Sequence, residues 1–299
     1  MSDIKVVKAI LVLSWVAGTC WACGCAEGQE TQQPPPQQQQ PQPQNPQPIE
    51  PVDAILERLN KTTSELTSYE AQIEYKYIQP LLESQSLHKG LLFYSRSGSK
   101  AALRVNFETR KQDDEKEQKY IEQYVVLDGA LLKHPAQQFK GIWLAHLDYQ
   151  LKTVKYYQLA EPNDPNAPAD VFELAGRNLP MLGFTRTKDL KKEFEVSLVE
   201  PPKDASAGFI QVHLKVKPNS IYKDDYVSMD FWIDQKLGLP VKAVAVKTEP
   251  EPPNGEIQEI KFLNPKVNKG IDANVFALKI PKDFSEPEIT PLSKDRTQT

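Results

Sequence analysis

The sequence predicts an α+β, mainly β domain: a strongly curved antiparallel sheet with helices over one face. Three observations carry that expectation. Beyond Pro51, apolar and polar residues alternate in run after run, the period of strands with one dry and one wet face. Turn dipeptides and glycine-containing reversals separate several of those runs. One stretch at the head of this region keeps the 3.6-residue apolar period of a helix instead.

In chain order, the first element lies outside that domain. Lys5 and Lys8 precede AILVLSWVAG, Ala9 to Gly18, an apolar run too short to span a bilayer and suited to a secretory h-region. Residues 1–25 are therefore expected to direct export. All 3 cysteines, Cys20, Cys23 and Cys25, crowd the end of this segment. Their placement resembles the lipoprotein signal, in which a small residue precedes the cysteine that is cleaved and acylated. Cys25 after Gly24 is the expected acylation site and Cys23 after Ala22 the second choice, while plain cleavage after Ala26 stays open. No cysteine follows Cys25, so the folded part relies on its core rather than on disulfides.

Residues 26–50 read as a disordered tether. The 17 positions from Gln32 to Pro48 hold nothing but Gln, Pro and Asn. Proline removes backbone donors, and glutamine carries too little apolar surface to offset ordering. Extended at about 3.1 Å per residue, some 25 residues would hold a domain about 75 Å from an anchor.

The domain itself is expected over residues 51–285, with a flexible tail over 286–299. It opens with a helix, because Val52, Ile55, Leu56, Leu59 and Leu66 approximate one face and Pro51 suits the first turn. The strand YEAQIEYKY follows, with Tyr69, Ala71, Ile73, Tyr75 and Tyr77 on one side and Glu70, Gln72, Glu74 and Lys76 on the other. The same alternation recurs at Leu103–Phe107, Phe194–Leu198, Ile210–Val216, Met229–Ile233, Ile260–Phe262 and Phe276–Ile280. Asp128-Gly129 and Asn254-Gly255 are the dipeptides of type I′ hairpins, and DQKLG at Asp234–Gly238 supports a longer reversal. About ten strands in hairpin order are expected. In the middle, Val171, Phe172, Leu174, Ala175 and Leu179 have helical spacing after a candidate cap at Asp170, and Pro180 breaks the run.

Charge and motifs exclude several chemistries. A formal charge of −4 and a pI near 5.7 offer no electrostatic reason to expect nucleic acid. The 4 histidines, His88, His134, His146 and His213, stand without carboxylate or cysteine at metal-ligand spacing, and no HExxH or phosphate loop occurs in the folded part. Ser97 to Lys100 matches a literal Ser-x-x-Lys, but no SDN or KTG follows it. No catalytic residue, metal site or cofactor is therefore expected.

The element order then resembles a known family. MDFWIDQKLGLPVKAVAV followed by NGEIQEIKFLNPKVNKGIDANVFALKIPKDF, together with YVVLDGALL upstream and NLPMLGF mid-chain, is similar to the lipoprotein carrier LolA and its outer-membrane receptor LolB. The likeness extends over roughly Val52 to Phe284. It implies an unclosed β-barrel whose concave face, covered by helices, holds acyl chains. It places Leu174, Leu179, Met181 and Leu182 in a lid, with Arg96 as its latch, although Ser97 stands where the family has proline and a solvated turn arginine is the alternative. On this reading Tyr75, Phe93, Leu103, Phe231 and Ile233 line a slot for lipid tails, each buried methylene contributing about 0.8 kcal/mol. The expected partners are lipoprotein acyl chains or other lipid and a membrane reached through the N-terminal lipid anchor, in the periplasm. An acylated, tethered chain would behave as a receptor or local sensor rather than a shuttle. Two alternatives remain: the same residues packed as a dry core, or a protein-binding envelope sensor on the same fold without lipid cargo.

Overall fold

The computed structural model describes residues 51–98, 100–132, 138–162, 187–200, 208–251 and 253–292. In chain order these form α1 (Val52–Ser64), β1 (Ser68–Gln79), β2 (Ser84–Ser97), β3 (Lys100–Gln112), β4 (Gln118–Asp128), β5 (Ile142–Asp148) and β6 (Thr153–Ala160). Then follow α2 (Thr187–Glu193), β7 (Phe194–Val199), β8 (Phe209–Val216), β9 (Tyr226–Asp234), β10 (Pro240–Lys247), β11 (Ile257–Val267) and β12 (Glu288–Thr290). All 12 strands join one curved sheet in the order β12-β6-β5-β4-β3-β2-β1-β11-β10-β9-β8-β7, which does not close into a barrel. The sheet is thus two meanders sewn together where β1 pairs with β11, for example Ile73 with Phe262 and Tyr75 with Ile260.

Helix α1 forms where the sequence keeps its apolar stripe, and it buries Ile55, Leu56 and Leu59 against the sheet. Asp53 in its first turn and Lys61 in its last suit the helix dipole. Pro51 sits one position earlier than expected, as the N-cap in extended conformation. Beyond the C-terminal end, the Asn268 side chain accepts hydrogen bonds from the Thr67 and Ser68 amides at 2.8 and 3.2 Å, fixing the path into β1.

The face that carries α1, here the inner face, holds the larger core. Tyr69, Ala71 and Ile73 of β1 join Leu92 and Tyr94 of β2, Leu103 and Val105 of β3, and Phe231, Ala243, Ile260 and Phe262 across the seam. Gly90 stands in β2 because a Cβ there would lie 1.9 Å from the Asn106 carbonyl oxygen, at the irregularity between β2 and β3.

A second core occupies the outer face, where the alternate residues of β4 to β6 (Val125, Leu127, Trp143, Ala145, Leu147, Val154 and Tyr156) are buried. The C-terminal segment covers part of it with Leu278, Phe284 and Ile289. Arg104 ties that segment down by donating Nη1 to the carbonyls of Val275 and Ala277 at 2.9 and 3.1 Å.

Several local expectations are corrected. Residues 276–280 are not a strand: Ala273–Phe276 form a 3₁₀ turn capped by the Asp272 side chain. Residues 288–290, expected in the tail, pair in parallel with Lys155–Tyr157 of β6. At Asp128-Gly129 the aspartate caps a 3₁₀ turn over Gly129–Leu131, and β5 begins only at Ile142. Neither Gly129 nor Gly255 has positive φ; the left-handed positions of the tight reversals fall at Glu83, Asp113 and Lys152, and at Gly98 and at Gly238 of the expected DQKLG reversal. Short loops chose other residues for that conformation because the flanking ladders, not the dipeptides, fix where each strand ends.

Candidate functional site

Helices α1 and α2 cover only part of the inner face. α1 contacts α2 and β7, Lys191 of α2 is ion-paired with Asp53, and a Cβ on Gly238 in the β9–β10 turn would meet the Thr62 hydroxyl. The cover therefore lies over the β7–β11 half. On the β1–β5 half, the ends of the strands farthest from the C-terminal end of α1 present a run of rings to the inner side. His88 packs edge-on to Phe107 and Tyr120 at 5.5 Å each and to Tyr75 at 6.2 Å. Phe107 leads on to Tyr124 at 6.2 Å, and Tyr124 stacks on His146 at 4.4 Å with the rings 3° from parallel. Strand parity produces this band. His88 lies opposite Tyr75 in β1 and Arg110 in β3, Val105 lies opposite Tyr124, and Tyr124 opposite His146. Tyr75, His88, Tyr120, Tyr124 and His146 are only half-buried although they face inward.

Within the band sits one carboxylate. Glu122 accepts from the Tyr124 hydroxyl at 2.8 Å and lies 2.7 Å from His146 Nε2. Burial alone would raise its pKa, but the hydrogen bonds from His146 and Tyr124 win and hold it below the usual carboxylate range. Burial pushes the Tyr75 hydroxyl up to about 12, with the negative charges of Glu122 and Glu256 adding to the shift. Burial likewise drives the Tyr124 hydroxyl well above its ordinary value, with Glu122 reinforcing it. His88 moves the other way: burial lowers it, Glu122 pulls it back, and Arg110 lowers it further. At neutral pH the Tyr75, Tyr120 and Tyr124 phenols and His88 are therefore uncharged, and Glu122 carries a negative charge. Among the described residues no group of three or more metal-ligating side chains gathers. The arrangement suits an apolar ligand with a small polar end.

The expected lining residues separate into three positions. Tyr75 stands in the aromatic band. Leu103 and Ile233 are 1% exposed and Phe231 is 9% exposed, all within the larger core. Phe93 is placed on the outer face: it neighbours Glu70 and Arg104, one step out of phase with Leu92 and Tyr94. The run LLFYS is apolar on both parities, so alternation could not assign Phe93, and Arg104 opposite it marks the wet side. The guanidinium of Arg96 donates to the Ser64 carbonyl, and its amide donates to Thr67 at 2.8 Å. It thus steadies the C-terminal end of α1. Leu174, Leu179, Met181 and Leu182 lie outside the described residues, as does Cys25.

Sequence reasoning missed Glu122, Tyr124, His146 and Tyr120. The signal was present, because Tyr120, Glu122, Tyr124 and Val126 share one parity and so bring a carboxylate onto the dry side. The histidines also proved less isolated than linear spacing suggests. His146 reaches Glu122 across 24 residues, and His213 lies 3.1 Å from Asp230 on the outer face.

No family model and no curated protein matches the sequence. Solved structures that resemble it include a DUF1329 family protein from Desulfovibrio piger, at 9% identity and TM-score 0.40, covering 76% of this chain and 97% of that one. The MucA/MucB complex of Pseudomonas aeruginosa matches at 12% identity and TM-score 0.36, over 76% of this chain and 60% of that chain. A LolA superfamily protein from Nitrosomonas europaea matches at 11% identity and TM-score 0.32, over 76% and 97% respectively. Identities of this order carry no residue's role from one chain to another.

Proposed function

We propose that this chain is an exported, non-enzymatic envelope protein that holds the acyl chains of lipoproteins, or of another lipid, against the inner face of its open sheet. The supporting observation is the aromatic band itself. Tyr75, His88, Tyr120 and Tyr124 face inward yet remain half-buried, on the half of the sheet that neither α1 nor α2 covers. A sheet face of this kind is stable only when another apolar layer lies on it. Phe107, whose ring lies 6.0 Å from that of Tyr75, continues the apolar lining within the band. Each methylene laid there contributes about 0.8 kcal/mol, so a chain of eight to ten methylenes gives micromolar, reversible retention. The segment bearing Leu174, Leu179, Met181 and Leu182 would occupy the band when lipid is absent. Acylation at Cys25 and the tether over 26–50 would keep the domain near one membrane, as a receptor.

A protein-docking role is the second reading, and the edge strand β7 favours it. Val199 and Phe209 are exposed beside that edge at 36% and 44%, where another strand could add. Titration of the purified full chain with a fluorescent acyl probe separates the two. Saturable binding, displaced by a lipoprotein acyl peptide, supports lipid retention. A flat titration alongside a working carrier control would sink it and leave the edge strand as the site.

A further inference from the structure

We infer that the polar end of the aromatic band binds the carboxylate of a single-chain fatty acid, with Arg110 as its cationic partner and His88 beside it. This rests on the acyl-chain reading above and narrows its ligand. Arg110 and His88 are cross-strand neighbours on the inner face. The guanidinium lies over the Tyr120 ring at 5.5 Å, and Nη2 donates to the Gln112 side chain at 2.7 Å. No carboxylate lies within ion-pair distance of Arg110 among the described residues, whereas Lys89 of the adjacent β2 is paired with Glu117 at 2.8 Å. Arg110 Nε and His88 Nδ1 are, moreover, buried without a hydrogen-bond partner. A guanidinium set against rings, short of an acceptor and beside a histidine in the same state, is a site matched to an incoming oxyanion.

The neighbouring charges select which anion. Glu122 faces the same cluster, and its negative charge is already shared by His146 and Tyr124. It is therefore not available to Arg110, yet it still repels an approaching anion. The single guanidinium balances the one charge of a carboxylate, whereas the second charge of a phosphate monoester would be left uncompensated beside Glu122. The apolar lining that leads to the cluster, through Phe107 and Tyr75, accepts the hydrocarbon chain of the same molecule. A free fatty acid satisfies both halves, whereas an acyl chain in ester or amide linkage leaves Arg110 unpaired.

The test compares cis-parinaric acid with its methyl ester on the full chain, by fluorescence titration at low ionic strength and below the concentration at which either self-associates. The acid is expected to bind at least tenfold more tightly than the ester. Arg110→Gln should remove that preference by weakening the acid about tenfold while leaving the ester unchanged, and Arg110→Lys should restore part of it. Equal affinity for acid and ester in the parent protein overturns the inference and leaves acyl-chain retention standing. Failure of both ligands overturns that broader reading as well. Tighter competition by dodecyl phosphate than by dodecanoate refutes the carboxylate assignment. The parent comparison decides the matter even if an Arg110 variant does not fold.

Discussion

Arg104 is the residue on which the C-terminal segment depends most visibly. Its guanidinium donates to Val275 and Ala277 of that segment at 2.9 and 3.1 Å, to Asn106 at 2.7 Å and to Gln123 at 2.9 Å. Arg104→Met keeps the length of the side chain and removes all of these donors. Hydrogen bonds to a charged group contribute about 1.5–3 kcal/mol each when buried, but these are part-exposed and the two side-chain acceptors can turn to water. Counting the two carbonyl contacts at about 1–1.5 kcal/mol each gives a loss of about 2–3 kcal/mol. For a domain of this size that lowers Tm by about 4–12 °C. Hydrogen exchange locates the effect: amides over residues 271–290 should exchange about 30- to 140-fold faster, since each 1.4 kcal/mol is tenfold, while those of β1 and β11 keep most of their protection. A variant that melts within 1 °C of the parent with unchanged exchange over 271–290 would refute the role given to Arg104.

Three further outcomes follow from the same structure. Leu56→Ala, at a site 1% exposed beneath α1, should cost about 2–5 kcal/mol in a denaturant titration; a loss under about 1 kcal/mol would mean that α1 is not seated on the sheet. Gly90→Ala must push a Cβ into the Asn106 carbonyl, so stability should fall by about 1–3 kcal/mol or more, and a neutral substitution would contradict the close approach of β2 and β3. Stability should also decline with acid in two stages. His88 is lowered from 6.5 and Glu122 from 4.5, so the unfolded chain binds more protons than the folded one and stability rises with pH. The His88 contribution is intact above about 6.5 and is lost as pH falls through its lower folded value; that of Glu122 is intact above about 4.5 and is lost likewise further down. His88→Phe should flatten the first decline of Tm and Glu122→Gln the second, whereas a Tm that rises on acidification from pH 7.5 to 5.5 would reverse the sign argued here.

Alternation made much of the sheet legible, because one-sided burial stamps a period of two on β1, β3, β7, β8, β9 and β11. It failed where both faces are buried. In β4 to β6 the outer side is dry as well, so Tyr-Val-Val-Leu and Ile-Trp-Leu-Ala lose their contrast, and Phe93 in the equally apolar LLFYS could not be assigned a side. The C-terminal stretch misled for a related reason: Phe276, Leu278 and Ile280 alternate, yet the segment crosses the outer face as a 3₁₀ turn and extended chain held by Arg104 rather than as a ladder partner. The candidate site was hidden by sequence distance. Glu122 and His146 are 24 residues apart, and only the register of β4 against β5 brings them together. The apolar alternation of β1, by contrast, put Tyr75 on the inner face from the outset.

The central claim, that the aromatic band of the inner face, beyond α1 and α2, receives an acyl chain, is tested most directly by photolabelling. A fatty acyl probe carrying a diazirine near the methyl end would be bound to the full chain, irradiated and mapped by peptide mass spectrometry. Label on inward residues of β1 to β4, such as Tyr75, Phe107 and Tyr124, competed away by unlabelled lipid, is the predicted result. Label confined to the outer face or the β7 edge, or none that competes, would contradict it.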